Sequence, residues 1–412
     1  MTLFSRRAFG VSPSWRSAVL VLVLVLALSI AACGDDSNRT APIRLTYSGV
    51  GALGIFDPAV TLDPATNRVW MSYSAVDSVT SLRAPWGVGI RLGYTDNGGS
   101  VWSDNGLVTA TRDVTVQPGI SVTSPEPAVT VASPGIWQSE TSTVVYDPHA
   151  SVPTGERWKM LYHRILWANN IPYYVSYSWI EMKQASTVAG LAAATPVKLF
   201  GGSLIKNDAP SLTNTAAPIG GAPAFALNTK HAELTNCGLF GEPSLLATGD
   251  TLYMALDCQL LGGASVEPYV VMFKCTSPCT MTNLASWTYL GRVTTPADAA
   301  AISSAYKGLS APALTTQGGR YYLITTPVAT SGDRYDGCRV YEFADLTTGL
   351  LQRNGAGGPL LPPVAQVTGI SNTHNGACAH HAALSYGMLH SQLDTNNPPE
   401  IFRIYQSRVN IP

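Results

Sequence analysis

From about residue 43 onward the chain is written in short apolar runs rich in Val, Ile, Leu, Tyr and Trp, separated by clusters of Gly, Pro, Asn, Asp and Ser. No long stretch keeps the helical period, so the pattern predicts paired strands. The pairs repeat. One copy runs from Asp57 through the Asp63-Pro64 turn to Tyr73, a second from Thr141 to His163, a third from Glu242 to Leu256 and a fourth from Ala311 to Thr325; a shortened fifth begins at His381. Third strands are expected at Gly89–Tyr94, Tyr173–Tyr177, Val270–Phe273, Arg339–Phe343 and Phe402–Tyr405. Five units of roughly 70 residues, two with insertions, read as an all-β, five-bladed β-propeller with four-stranded blades. Little chain remains after Phe402–Tyr405, so Ile43–Tyr47 is expected to complete the fifth blade and close the ring, leaving no open edge. Thr95-Asp-Asn-Gly-Gly-Ser-Val-Trp102 resembles the Asp-box turn of sialidase-type propellers, with Asn97 in place of the usual Asp and Trp102 as a packing residue beneath the turn.

Composition narrows the partners. The 412 residues include 25 Lys or Arg and 26 Asp or Glu, a net charge of -1 with no basic stripe, which argues against nucleic-acid binding. With 46% hydrophobic residues the chain is also too apolar for intrinsic disorder. At the N-terminus, Arg6, Arg7 and Arg16 precede an apolar run from Ala18 to Leu28, too short to span a membrane, and then Ile30-Ala31-Ala32-Cys33. That tetrad resembles the lipobox of bacterial lipoproteins. The resemblance implies a signal peptide over residues 1–32, acylation of Cys33, a lipidated tether over 33–42 and a single propeller domain over 43–412. Ser5-Arg6-Arg7-Ala8-Phe9 also resembles a twin-arginine signal, leaving the export route open between that and the general secretory path. Either way the protein is expected at the bacterial cell surface or in the periplasm, held to the membrane by lipid. The six cysteines after Cys33 fit disulfides in such a compartment, with Cys275 and Cys279 spaced to close a small loop.

The first strand of a propeller blade lines the central channel, so the repeat starts should converge on one axis. They hold Asp57, Thr141, Glu242, Ala311 and His381. Asp-Pro and Glu-Pro are ordinary strand openers. Two carboxylates at equivalent repeat positions, however, suit acid–base cleavage of a glycosidic bond, in which one group protonates the leaving oxygen and the other activates water. Phe56-Asp57-Pro58-Ala59-Val60 and Gly241-Glu242-Pro243-Ser244-Leu245, each followed by a turn and an aromatic strand, resemble the first and third blades of glycoside hydrolase family 43 and its relatives.

The resemblance implies inverting hydrolysis of arabinose- or xylose-containing polysaccharide, with Asp57 as general base and Glu242 as general acid. The second-blade Asp that tunes the acid in that family has no direct counterpart: Thr141 stands there, and Glu140 is the substitute if its strand begins irregularly. The family also implies a last-blade His at a central cation, which maps to His381 and to a structural Ca2+ in the channel; no other cofactor is expected. Phe56, Trp137 and Trp167 near blade entrances are candidates to stack on sugar rings. The stretches Arg83–Gly89 and Lys183–Phe240 read as loops shaping the pocket mouth, and the protein is expected to be a monomer. Two alternatives stand beside the hydrolase: a non-catalytic propeller lipoprotein that binds glycan or protein, and a sialidase-like enzyme, for which no Arg recurs at the repeat starts.

Overall fold

The computed structural model describes residues 39–43, 45–46, 52–78, 86–116, 132–168, 178–201, 225–227, 230–260, 267–331, 334–370, 372–394 and 400–412. The signal, Cys33 and the expected strand Tyr173–Tyr177 lie outside them.

The strands form four sheets that divide into five successive, largely antiparallel blades, the first and last being joined into one nine-stranded sheet by a parallel pairing of Phe402 with Gly54. Blade 1 comprises Gly54–Asp63, Arg68–Ser78, Trp86–Thr95 and Trp102–Thr109. In blade 2 the long strand Ser133–Tyr146 leads to Trp158–Ala168, Ser178–Ala185 and Val197–Gly201, and Arg112–Val116 and Phe225–Ala226 at its two edges make six strands where four were expected. Blade 3 is Cys237–Thr248, Thr251–Leu260, Glu267–Thr276 and Thr288–Arg292. Blade 4 is built from Tyr306–Gln317, Arg320–Ala329 and Cys338–Asp345, edged by Leu350–Leu351 and Ala365–Val367. His374–His380, Gly387–Leu393 and Phe402–Arg408 form blade 5. The first strand of each blade packs against the first strand of the next, and that of blade 5 against that of blade 1, which makes the array a closed propeller.

Closure differs in detail from the sequence expectation. The strand Arg39–Pro42 lies on Phe402–Arg408, and the Ile43 N–H donates to the Ile404 carbonyl at 3.0 Å. Leu45–Thr46 has already crossed to run parallel to Trp102–Thr109 of blade 1. The segment expected to serve blade 5 alone therefore straddles the seam. The two stretches read as loops also contribute strands: Trp86–Thr95 begins within the first, while in the second Ser178–Ala185 ends and Val197–Gly201 follows, with residues 202–224 outside those described.

Each blade is sandwiched between two others, so both of its faces are buried and the core divides into wedges. In the strand Thr251–Leu260, Leu252, Met254, Leu256 and Cys258 enter the cluster shared with blade 2, while Tyr253 and Ala255 enter the cluster shared with blade 4. Val69, Met71, Tyr73 and Ala75 likewise face blade 5, and Trp70 faces blade 2. A period of two with apolar residues on both faces gives the near-continuous apolar runs seen in the sequence. Burying each large side chain contributes about 1.5–3 kcal/mol, spread here over every blade interface.

Disulfides join Cys237 to Cys258 and Cys275 to Cys279, and Cys338 of blade 4 to Cys378 of blade 5. The Asp-box-like turn is stapled by its own side chains: Gly99 N–H donates to Thr95 Oγ1 and Val101 N–H to Asn97 Oδ1, both at 3.1 Å, above a buried Trp102.

Candidate active site

The five first strands share one irregularity. Each loses register with its second strand at the channel, between Phe56 and Ala59, Glu140 and Thr143, Gly241 and Ser244, Ser310 and Ala313, and His374 and Cys378. In the first four, two residues face one across the ladder, the signature of a β-bulge. The residue entering each bulge has a left-handed backbone: Asp57 (φ 51°), Thr141 (47°), Glu242 (47°), Ala311 (51°) and Gly376 (92°). For a non-glycine residue such a conformation costs about 1–3 kcal/mol and persists only where the surroundings enforce it, most often at functional sites. Three of these positions, and in blades 4 and 5 the residues that follow them, border one central cavity. Its walls are Asp57, Thr141 and Glu242 with the residues that follow them, together with Pro312, Ala313, Ala377 and Cys378.

The sequence alignment thus placed four of the five ring positions correctly and the fifth wrongly. The blade 5 position is Gly376, and His381 lies beyond the end of its strand in the following turn, where its Nδ1 accepts the Ala383 N–H at 3.1 Å. Five residues of extended chain, roughly 16 Å, separate it from the ring. A ring glycine has a steric reason: a Cβ at Gly376 would stand 2.1 Å from Asp57 Oδ1.

Polar bonds lace neighbouring bulges together. Asp57 N–H donates to Ser391 Oγ of blade 5 at 2.9 Å, Thr141 N–H to Ser74 Oγ of blade 1 at 3.2 Å, Leu245 N–H to Thr143 Oγ1 of blade 2 at 3.2 Å, and Leu314 N–H to Ser244 Oγ of blade 3 at 2.9 Å. Within this collar Asp57 is 2% exposed. Its Oδ1 accepts the Ala377 N–H at 2.8 Å, and its Oδ2 takes a longer bond from Ser74 Oγ at 3.4 Å. Burial pushes its carboxyl well above the usual range, and the charges of Glu140 and Glu242 push it further than those two bonds pull it back. The other two predicted acidic residues therefore both act on Asp57. Glu140, partly exposed, sits immediately before the bulge, which lies within Ser133–Tyr146 rather than at its start, and it is not among the residues that wall the cavity.

Glu242 is held differently. Its Oε2 accepts from Ser310 Oγ at 2.8 Å and from the Ala311 N–H at 2.5 Å, and its Oε1 accepts from the Tyr335 hydroxyl at 2.9 Å. Burial raises this carboxyl, and the three donors oppose the rise. Each carboxylate oxygen offers two lone pairs, so Oε2 is filled and Oε1 keeps one free site, the place where a proton can be carried toward a substrate. Behind it lies Asp257, fully buried and in contact with the same Ser310 hydroxyl at 3.0 Å. Sequence reading missed Ser310, Tyr335 and Asp257. Ser310 immediately precedes the ring position of blade 4, and Asp257 lies on a second strand opposite Gly241.

The aromatic candidates part company. Trp137 is 1% exposed, with its ring 5.1 Å from that of Trp179 and under the Arg164 guanidinium, so it is core and cannot meet a sugar. Phe56 is likewise buried, packed on Phe402 at 5.4 Å in the wedge between blades 1 and 5. Trp167 remains partly exposed.

Among the described residues the group whose ligand atoms approach closely enough to share a metal ion is Cys338, His374 and Cys378. The two thiols form a disulfide, and His374 Nδ1 accepts the Gly337 N–H, which leaves the ring proton on Nε2, facing Cys378. That group does not fit a metal ion. Among the described residues the acidic ring positions do not form a group of this kind.

No protein-family model matches the chain, and no curated protein matches it. Solved structures do resemble it at the level of fold. A thermostable family-43 glycoside hydrolase is 12% identical over 89% of this chain and 96% of its own, with a TM-score of 0.47. The catalytic domain of the Coprinopsis cinerea GH62 α-L-arabinofuranosidase is 9% identical over 90% and 96%, with a TM-score of 0.43. An α-L-arabinanase of Cellvibrio cellulosa complexed with arabinohexaose is 11% identical over 72% and 76%, with a TM-score of 0.36.

Proposed function

We propose that the protein is an exported glycosidase acting on arabinose- or xylose-containing polysaccharide by an inverting acid–base mechanism. The observation that carries this reading is the placement of Asp57 and Glu242 at equivalent bulges of blades 1 and 3, bordering one cavity and electrostatically coupled. Glu242 donates a proton from Oε1 to the leaving oxygen. Asp57, whose raised proton affinity makes it a stronger base than an exposed aspartate, removes a proton from the attacking water. Glu140 adds negative charge that strengthens that base. Inversion requires the two carboxyl groups to stand roughly 6.5–9.5 Å apart, leaving room for the water. Export follows from the N-terminal signal and agrees with three disulfides in the fold. Attachment through Cys33 is the form of export this reading favours.

The test is hydrolysis of aryl arabinofuranosides, aryl xylosides and a polysaccharide panel, with the anomer of the first product followed by NMR. Full activity after Glu242→Gln removes that residue from the acid role. A second reading, a glycan-binding propeller without turnover, draws on the three donors around Glu242, which is how a carboxylate kept permanently charged is held. Glycan binding without hydrolysis, indifferent to Asp57→Asn, would establish it instead.

A further inference from the structure

The Ser310 hydroxyl contacts two carboxyl groups, Glu242 Oε2 at 2.8 Å and Asp257 Oδ2 at 3.0 Å. A hydroxyl has one proton to give. If both carboxyls were ionised, one of these contacts would set a bare lone pair against a bare lone pair at the buried Ser310 hydroxyl. Both become hydrogen bonds when one carboxyl carries a proton and donates it to Ser310 Oγ while Ser310 donates to the other. Asp257 has the surroundings of the protonated partner. It is fully buried, Gln259 Nε2 reaches its Oδ2 only at 3.3 Å, and its Oδ1 has no hydrogen-bond partner among the described residues. An ionised carboxylate stripped of donors in this way would be strongly disfavoured.

We propose that Asp257 and Glu242 hold one proton between them through the Ser310 hydroxyl, with Asp257 as the positioning residue that keeps Glu242 supplied with that proton. The transfer balances: Asp257 Oδ2 gives its proton to Ser310 Oγ and Ser310 passes its own to Glu242 Oε2, leaving Asp257 ionised and Glu242 neutral; a turn of the Glu242 carboxyl then exchanges its two oxygens and presents the proton at the free position. Burial and the Glu242 charge both push the Asp257 carboxyl upward, in the direction the dyad needs. The titratable groups facing the pair are Asp57 across the axis, Tyr335 on Glu242 Oε1, His163 beside Gly241, and Tyr269 on the strand beside Asp257. His163 is held neutral by burial, its affinity pushed down to about 3, so it supplies no competing proton near neutrality.

This inference rests on Glu242 as the acid of the proposed hydrolase, but its central claim can be read without turnover. Infrared spectra of the full chain at pH 7, taken in an Asp57→Asn background so that Asp57 adds no signal, should show a protonated-carboxyl band that Asp257→Asn removes. Ser310→Ala should keep the band but shift it, because the acid proton has lost its acceptor; this variant decides the matter if Asp257→Asn does not fold. With Asp57 intact, Asp257→Asn should move the alkaline limb of the pH–rate profile down by about 1–3 units, since Glu242 then titrates without a like charge behind it. Identical spectra with and without Asp257, together with a shift-free Ser310→Ala, would overturn the dyad. Absence of hydrolysis on every substrate would refute the proposed function and leave the spectra to decide this point alone.

Discussion

Blades 1 and 3 present a carboxylate at the same bulge with the same left-handed backbone, yet the two groups live in opposite surroundings. Asp57 has one firm donor, the Ala377 N–H, and faces two like charges; Glu242 has three donors and a second carboxyl behind it. One bulge starves its carboxylate of hydrogen bonds and so makes it hungry for a proton. The other surrounds its carboxylate with donors and offsets them with a proton store. Equivalent backbone geometry therefore yields inequivalent acids, which is what single-displacement hydrolysis needs from two carboxyl groups.

The strongest way to break the contrast is to remove each group in turn. Asp57→Asn and Glu242→Gln should each lower kcat by about 10²–10⁴-fold. On a substrate with a good leaving group only the Glu242→Gln defect should shrink, because protonation of the leaving oxygen then matters less. Equal losses on good and poor leaving groups would show that Glu242 is not the acid. Gly376→Ala attacks the blade 1 carboxylate without changing any charge. Its new Cβ, on a backbone at φ 92° and 2.1 Å from Asp57 Oδ1, should displace the base and lower kcat about 10²-fold.

Stability should separate the two carboxylates next. An aspartate whose affinity rises on folding binds more protons in the native than in the unfolded chain. Its contribution therefore falls as pH climbs from the ordinary value of 3.8 toward the raised one. Asp57→Asn should flatten that decline and add about 0.5–2 kcal/mol near pH 7, read by urea denaturation at pH 4 and pH 7. A stability unchanged at both pH values would mean that Asp57 is not destabilised by its neighbours. The smallest effect is expected from Tyr335→Phe. Loss of a donor to Glu242 Oε1 should raise that carboxyl further, moving the alkaline limb upward, at a cost of about 1 kcal/mol in folding. A limb that moves downward would reverse the role assigned to the tyrosine.

The contrast also marks what the sequence could disclose. Asp57, Thr141, Glu242 and Ala311 were legible because each heads an apolar run followed by a turn and an aromatic strand, a pattern imposed by blades buried on both faces. The fifth position was not. Blade 5 opens with His374-Asn-Gly-Ala-Cys378, in which three residues rather than two bulge and the ring residue has no side chain at all. His381 drew notice as a ligand type, and chemistry without register placed it at the wrong end of its strand. Trp137 misled in the same manner, since an aromatic near a blade entrance and one filling a wedge read identically. Ser310, Tyr335 and Asp257 act only through contacts between blades and so leave no mark in any one repeat.

The left-handed ring has a last consequence for what such a barrel of blades can become. Because the backbone bulge, not the side chain, aims each position at the axis, the ring behaves as a turret of five sockets whose occupants are exchangeable while the sheets stay as they are. Here the sockets hold an acid, an alcohol, an acid, a methyl and nothing. A change of one occupant rewrites the charge at the axis with a single codon, and the empty socket is the one already spoken for by its neighbour's carboxylate.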